Sequence, residues 1–71
     1  MMFGLHVHRV AGLTFIEGPY ATLKEAKIAR AEYVMSARRQ GFTVRRGLYA
    51  TRLTNGDVKL SVWIAPTNGA A

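Results

Sequence analysis

The sequence predicts a small single α+β domain, in which one helix covers one face of a four-stranded, mostly antiparallel sheet in the order ββαββ. Three observations predict it. A segment with helix-capping residues lies in the middle of the chain, alternating apolar and polar residues precede it, and an Asn-Gly hairpin signal follows it. One helix on one sheet leaves the other sheet face to solvent or to a partner.

The first two strands are predicted at 2–10 and 13–17. In the first, Phe3, Leu5 and Val7 alternate with Gly and His residues, which gives one apolar side and one polar side. Ala-Gly at 11–12 supplies a turn, and Gly-Pro at 18–19 is expected to end the second strand. These two strands should therefore form an antiparallel hairpin.

The helix is predicted to run from Leu23 to about Gln40. Thr22 and Glu25 form a capping box, in which each side chain accepts a hydrogen bond from the other residue's backbone N–H. Gly41 stands where a left-handed residue ends a helix, and the apolar Phe42 follows it, as in a Schellman motif. Both ends of this helix are thus specified locally.

Two sides of this helix are apolar. One side carries mostly small residues and should face the sheet: Leu23, Ala26, Ala29, Tyr33, Val34 and Ala37. A different side carries Ile28, Ala31 and Met35. A second apolar side indicates a homodimer interface or a partner groove, and the alternative is scattered surface apolar residues.

The remaining strands are predicted at 42–53 and 58–64. A bulge at 45–47 would bring the apolar residues of the first into phase, and a separate tight turn there is the alternative. A type I′ loop at Asn55-Gly56 would place Arg52 opposite Lys59. Leu48 and Trp63 would then share their outer face, unless the register slips by one and Trp63 lies in the core. The domain should span 1–65, with a flexible tail at 66–71.

Charge and composition restrict the function. The 71 residues have a net charge of +6 and a pI near 10.6, which favours nucleic acid or an acidic protein surface as partner, although the charge also aids solubility. The chain has no Cys and therefore no disulfide or thiolate metal site. It has no apolar run long enough to span a membrane and no signal-peptide pattern, so we predict a cytoplasmic location.

Two sets of candidate binding residues follow. Arginine forks bind phosphate or carboxylate, and aromatic side chains stack on bases, so the first set is basic with one aromatic: Arg38, Arg39, Arg45, Arg46, Arg52, Lys59 and Trp63. Helix-dipole capping and solvated charge are the alternative for the arginines. The second set is apolar and would bind a partner or a second copy: Ile28, Ala31, Met35 and Leu48.

Catalysis is not predicted. Neither Ser36 nor Ser61 has a nearby His–acid pattern, and the pair His6 and His8 offers too few ligands for a metal. We therefore expect no enzyme activity, no cofactor, no metal and no small-molecule substrate.

The predicted function is nucleic-acid binding, and the alternative is a protein-binding inhibitor or adaptor. The stretch 18–26, Gly-Pro-Tyr-Ala-Thr-Leu-Lys-Glu-Ala, resembles the helix start of many small proteins, including phage and mobile-element accessory proteins. A phage origin would imply a protein that binds a host factor and inhibits or redirects it.

Overall fold

The structure, a computed structural model, describes residues 1–67, which form one helix and one sheet of five strands. The elements are β1 (Met2–Arg9), β2 (Thr14–Tyr20), α1 (Leu23–Arg39), β3 (Thr43–Arg46), β4 (Thr51–Asn55) and β5 (Val58–Thr67). All neighbouring strands are antiparallel, in the order β2-β1-β5-β4-β3. The small α+β domain is confirmed, whereas the predicted four strands and ββαββ order are wrong.

The extra strand arises at the segment predicted as one bulged strand. The chain reverses at 47–50, where the Gly47 N–H donates to the Ala50 carbonyl at 2.8 Å. β3 and β4 then pair, and Val44 becomes the direct partner of Leu53. The bulge is therefore wrong and the tight-turn alternative is right, because reversing the chain brings both apolar residues to the same side of the sheet.

The β4–β5 hairpin has its loop one residue later than predicted. Asn55 pairs with Val58, which leaves Gly56 and Asp57 as the loop, and Gly56 has φ 58°. Types I′ and II′ both need positive φ at the first loop position, but type I′ needs it at the second as well. Asp57, at the second position, does not have positive φ, so the turn is type II′ and the predicted type I′ loop is wrong. Each residue of β5 therefore pairs two residues further along β4 than predicted. Because side chains alternate between the two faces of a strand, a shift of two residues leaves each side chain on its predicted face.

The cross-strand partners in the β4–β5 hairpin therefore differ from the predicted ones, although each strand residue projects from its predicted face. Arg52 pairs with Ser61, and Lys59 pairs with Thr54, so the predicted Arg52–Lys59 pair is wrong. The prediction that Leu48 lies opposite Trp63 is also wrong, because Leu48 lies in the turn between β3 and β4.

The β1–β2 hairpin forms as predicted, but β2 is longer. Gly18 and Pro19 do not end the strand, which continues to Tyr20, the partner of Phe3. The register shifts between Phe3 and Leu5, and Gly18 has φ 116°, a backbone conformation that Gly adopts readily. This irregularity in the pairing accommodates the Gly-Pro pair within the strand.

Both helix ends have the predicted caps. At the start, the Glu25 N–H donates to the Thr22 hydroxyl at 3.1 Å, while the Glu25 carboxylate accepts from Ala21 rather than from Thr22. At the end, Gly41 has φ 96°, and the N–H groups of Gly41 and Phe42 donate to carbonyls of the last helical turn. This is the Schellman pattern.

The core lies between α1 and one sheet face. Fully buried strand residues form it with small helix residues, in the set Leu5, Val7, Leu53, Val62, Ala26 and Ala37. Alanine on the helix allows the close approach of helix to sheet. Ile28 and Met35 lie outside this core and are about half exposed, at 50% and 54%.

The last strand passes the predicted domain boundary at residue 65. Pro66 and Thr67, which we assigned to the tail, pair with Phe3 and Met2 of β1. The rest of the predicted tail, 68–71, lies outside the described residues.

Candidate nucleic-acid interface

The sheet face opposite α1 carries the candidate site, and we call it the open face. Directly paired residues project to the same side of a sheet, so the pairings define its rows. One row runs across all five strands and holds Thr14, His8, Ser61, Arg52 and Arg45. The neighbouring row holds Ile16, His6 and Trp63. Lys59 lies two residues before Ser61 on β5, and it therefore projects from the same face.

Basic residues converge at the β3 side of the open face. Arg45, Arg52 and Lys59 line a shallow depression of about 420 Å³. The rest of its lining is Thr54 and Ser61 with the apolar residues Val10, Leu53 and Leu60. Every ionisable residue that lines this depression is basic. The depression therefore presents positive charge and hydroxyl groups to solvent.

Arg45 and Arg52 are direct cross-strand partners. Like charges directly opposite one another destabilise a sheet by several tenths of a kcal/mol. An anion bound between the two guanidinium groups removes this repulsion and accepts hydrogen bonds from both.

An aromatic pair lies beside these cations. The His6 and Trp63 rings stack with centroids 5.3 Å apart and planes 13° apart. The Nε2 atom of His6 is buried and has no hydrogen-bond partner among the described residues. Trp63 keeps part of its surface exposed on the open face, so the alternative that placed it in the core is wrong.

The β2 side of the open face is closely packed and hydrogen-bonded. The Ile16 side chain lies over Gly4, where an added Cβ would come within 2.7 Å of the Ile16 Cγ2 atom. His8 and Thr14 form a hydrogen bond of 2.6 Å between Nδ1 and Oγ1. Packing and hydrogen bonding thus fix the β2 half of the open face, while the β3 half carries the charge.

The structure divides the basic residues chosen from sequence between surfaces. Arg45, Arg52 and Lys59 lie on the open face, whereas Arg38 and Arg46 lie on the helix side of the sheet. Arg39 lines neither depression. The four arginines at 38, 39, 45 and 46 therefore do not form the single cluster expected, because neighbouring residues of a strand project to opposite faces.

The second surface is a groove of about 450 Å³ between α1 and β3, which we call the α1–β3 groove. Its lining combines four cations with apolar residues and comprises Lys27, Arg30, Ala31, Val34, Met35, Arg38, Val44, Arg46, Gly47 and Thr51. Ala31 and Met35 from the apolar set chosen from sequence lie here. Ile28 lies on the exposed helix surface, and Leu48 is 88% exposed at the β3–β4 turn.

Sequence reasoning missed several residues of these surfaces. The sequence presents His6 as one of two histidines too few to hold a metal. Its place beside Trp63 depends on the β1–β5 pairing, which no local signal specifies. Lys27 and Arg30 were not selected, although the groove residues of α1 follow the spacing i, i+3, i+4, i+7, i+8, i+11 from Lys27. That helical period was available as a signal.

Acidic residues lie mainly away from these surfaces. Glu17 is on β2, and burial, with a smaller contribution from the Glu17 carboxylate, raises the pKa of Tyr33. Glu25 is engaged by the Ala21 N–H at the helix start, and Glu32 is on the exposed helix surface. Asp57 occupies the β4–β5 loop and lines neither depression. The β3 side of the molecule is therefore its positive side.

Comparison with known proteins finds no matching family model, no matching curated protein and no matching solved structure. Among residues 1–67, no helix is long and apolar enough to cross a membrane. The same residues contain no group of three or more His, Cys, Asp or Glu side chains placed to hold a metal ion.

Proposed function

We propose that the protein binds nucleic acid on its open face, with Arg45, Arg52 and Lys59 in contact with phosphates. The observation that carries this proposal is the convergence of these three cations on one depression of the uncovered sheet face. Guanidinium groups donate paired hydrogen bonds to phosphate oxygens, and a nucleic-acid backbone supplies several phosphates in succession.

The aromatic row supports a single strand as the ligand. His6 and Trp63 lie one row from Arg52, a separation of about 7 Å along a strand. An unpaired base can stack on an aromatic side chain of a sheet while its phosphate lies on a neighbouring cation. Bases within a duplex are already stacked, so a duplex gains the phosphate contacts alone.

The salt dependence of binding tests the phosphate contacts. We would titrate a short fluorescein-labelled DNA or RNA single strand of mixed sequence and follow its anisotropy at increasing NaCl concentration. Three phosphate contacts on a single strand predict a log–log slope of about −2. Replacing Arg45, Arg52 and Lys59 together by Gln should bring the slope close to zero and weaken binding at low salt.

A matched variant controls for overall charge. Replacing Lys27, Arg38 and Arg46 by Gln also removes three positive charges, but it removes them from the α1–β3 groove. The proposal predicts that this variant keeps most of its affinity and its slope. Equal losses in the two variants would mean that net charge, rather than the open face, attracts the strand, and the proposal would be wrong.

Protein binding is the second candidate function. The observation that favours it is the α1–β3 groove, where Met35 is 54% exposed among cations. The homodimer through Ile28, Ala31 and Met35 and the inhibitor or adaptor role stay predictions.

A further inference from the structure

We propose that the α1–β3 groove binds a short acidic segment of a partner protein, which adds as an extended strand to the outer edge of β3. Three features meet at this place: a sheet edge, a row of cations and an apolar floor. None of the groove residues belongs to the open-face cations of the proposed nucleic-acid site. Peptide binding in the groove can therefore be tested independently of nucleic-acid binding on the open face.

The sheet edge offers backbone hydrogen bonds. β3 is the last strand in the order, and within the described residues its backbone pairs with β4 on one side only. An extended peptide that pairs with such an edge gains main-chain hydrogen bonds, as in other cases of strand addition. Since β3 has four residues, it fits a segment of about four to six residues.

The cations determine which segment is accepted. All four ionisable residues that line the groove are basic: Lys27, Arg30, Arg38 and Arg46. Arg46 lies on the edge strand itself, where a charged side chain opposes pairing with unrelated or like-charged strands, and the other three cations extend from α1. Here they favour a strand that carries carboxylates, which accept paired hydrogen bonds from arginine.

The apolar floor requires a mixed peptide. Between the cations lie Ala31, Val34, Met35 and Val44. Methionine adapts its flexible side chain to a range of apolar partners. A peptide that places an apolar side chain on Met35 therefore gains burial that a purely acidic peptide does not.

The spacing of the cations defines the peptide further. Lys27 and Arg38 are eleven residues apart, which is about 16 Å along a helix. Side chains at positions i, i+2 and i+4 of an extended peptide share one face and span about 13 Å. A groove-facing pattern of acidic, apolar and acidic residues thus brings the two carboxylates within reach of the long side chains of Lys27 and Arg38. Its central side chain then lies over the apolar floor that Ala31, Val34 and Met35 form between them.

A designed peptide tests the site. The probe is a fluorescein-labelled Ser-Glu-Ser-Leu-Ser-Glu-Ser peptide, followed by fluorescence anisotropy. The proposal predicts saturable binding to the wild type and binding about tenfold weaker for the Lys27, Arg38 and Arg46 to Gln variant. The Arg45, Arg52 and Lys59 to Gln variant should bind the peptide as the wild type does. The reverse pattern, or equal affinity for all three proteins, would overturn the proposal.

Charge reversal separates recognition from misfolding. A protein carrying Lys27→Glu and Arg38→Glu should no longer bind the Glu peptide, and it should bind a peptide in which Lys replaces both Glu residues. A misfolded protein would bind neither the Glu peptide nor the Lys peptide. If this variant fails to bind the Lys peptide while its circular dichroism spectrum is unchanged, the cations do not select the ligand and the proposal is wrong.

Backbone pairing has its own test. Methylating alternate backbone nitrogens on the peptide edge that faces β3 removes those donors and keeps the side chains. Strand addition predicts that this peptide loses binding, while methylation on the opposite edge does not. Equal binding of the two methylated peptides would contradict strand addition.

Discussion

Gly4 allows the Ile16 side chain to lie directly over β1. A Cβ at this position would come within 2.7 Å of the Ile16 Cγ2 atom, which is closer than side chains pack. Gly4 is itself buried, so the added methyl has no free space on the open face. The close approach of Ile16 to β1 thus requires glycine, which has no side chain, at position 4.

Gly4→Ala should lower the free energy of unfolding by about 1–3 kcal/mol, because it overpacks this contact. Urea denaturation measures the change. If Ile16 is the obstacle, Gly4→Ala should lower the free energy of unfolding less in a protein that already carries Ile16→Ala. The loss in the double variant should then be smaller than the sum of the two single losses by about 1 kcal/mol. Additive effects would mean that another contact opposes the methyl group.

Tyr33 makes stability depend on pH. Burial, and secondarily the Glu17 carboxylate, raise the pKa of Tyr33 above its ordinary value. The folded state then holds this phenol proton more tightly than the unfolded state, so its contribution is fully present below about pH 10. It is lost as pH rises from there through the folded pKa.

We therefore expect Tyr33→Phe to lose less stability than the wild type between about pH 8 and about pH 11. Urea denaturation at the two pH values measures this difference. Tyr49→Phe is the matched control, since Tyr49 is 88% exposed at the β3–β4 turn. A Tyr33→Phe protein with the same alkaline loss as the control would rule out this account.

The helix is the element whose ends are set by single residues. Thr22→Ala removes the acceptor of the Glu25 N–H, and it should lower the free energy of unfolding by about 1 kcal/mol. Thr22→Ser keeps a hydroxyl and should stay near the wild type. Thermal unfolding followed by circular dichroism compares them, and an unaffected Thr22→Ala protein would mean that the cap contributes nothing.

These helix ends could be predicted from sequence because their signals act within a few residues. The β4–β5 loop shows where such signals become ambiguous: Asn55-Gly56 and Gly56-Asp57 both have good turn chemistry. The structure uses the second, so that Leu53 pairs with Leu60 across β4 and β5. The choice is made by pairing across the sheet, which the turn residues do not encode.

The candidate site was predictable only in part, for a similar reason. Trp63, Arg52 and Lys59 were placed on one face correctly, because the two-residue register error preserves faces. The tight turn at 47–50 brought Arg45 to the same face through its pairing with Arg52. Contacts between elements distant in sequence, such as His6 with Trp63, required the complete strand order.

At the scale of the whole molecule, the sheet separates two basic surfaces. The open face carries cations beside an aromatic pair, and the α1–β3 groove carries cations around an apolar floor. A net charge of +6 thus becomes two sites of different chemistry. We propose that the first binds a nucleic-acid strand and that the second binds an acidic peptide.

The measurement that most directly tests nucleic-acid binding on the open face is an NMR titration of the ¹⁵N-labelled protein with a short unlabelled single strand. We predict shifts at the Trp63 indole N–H and at the backbone amides of Arg45, Arg52 and Lys59, with small changes along α1. Shifts confined to α1 and the groove, or no shifts at low salt, would contradict this account.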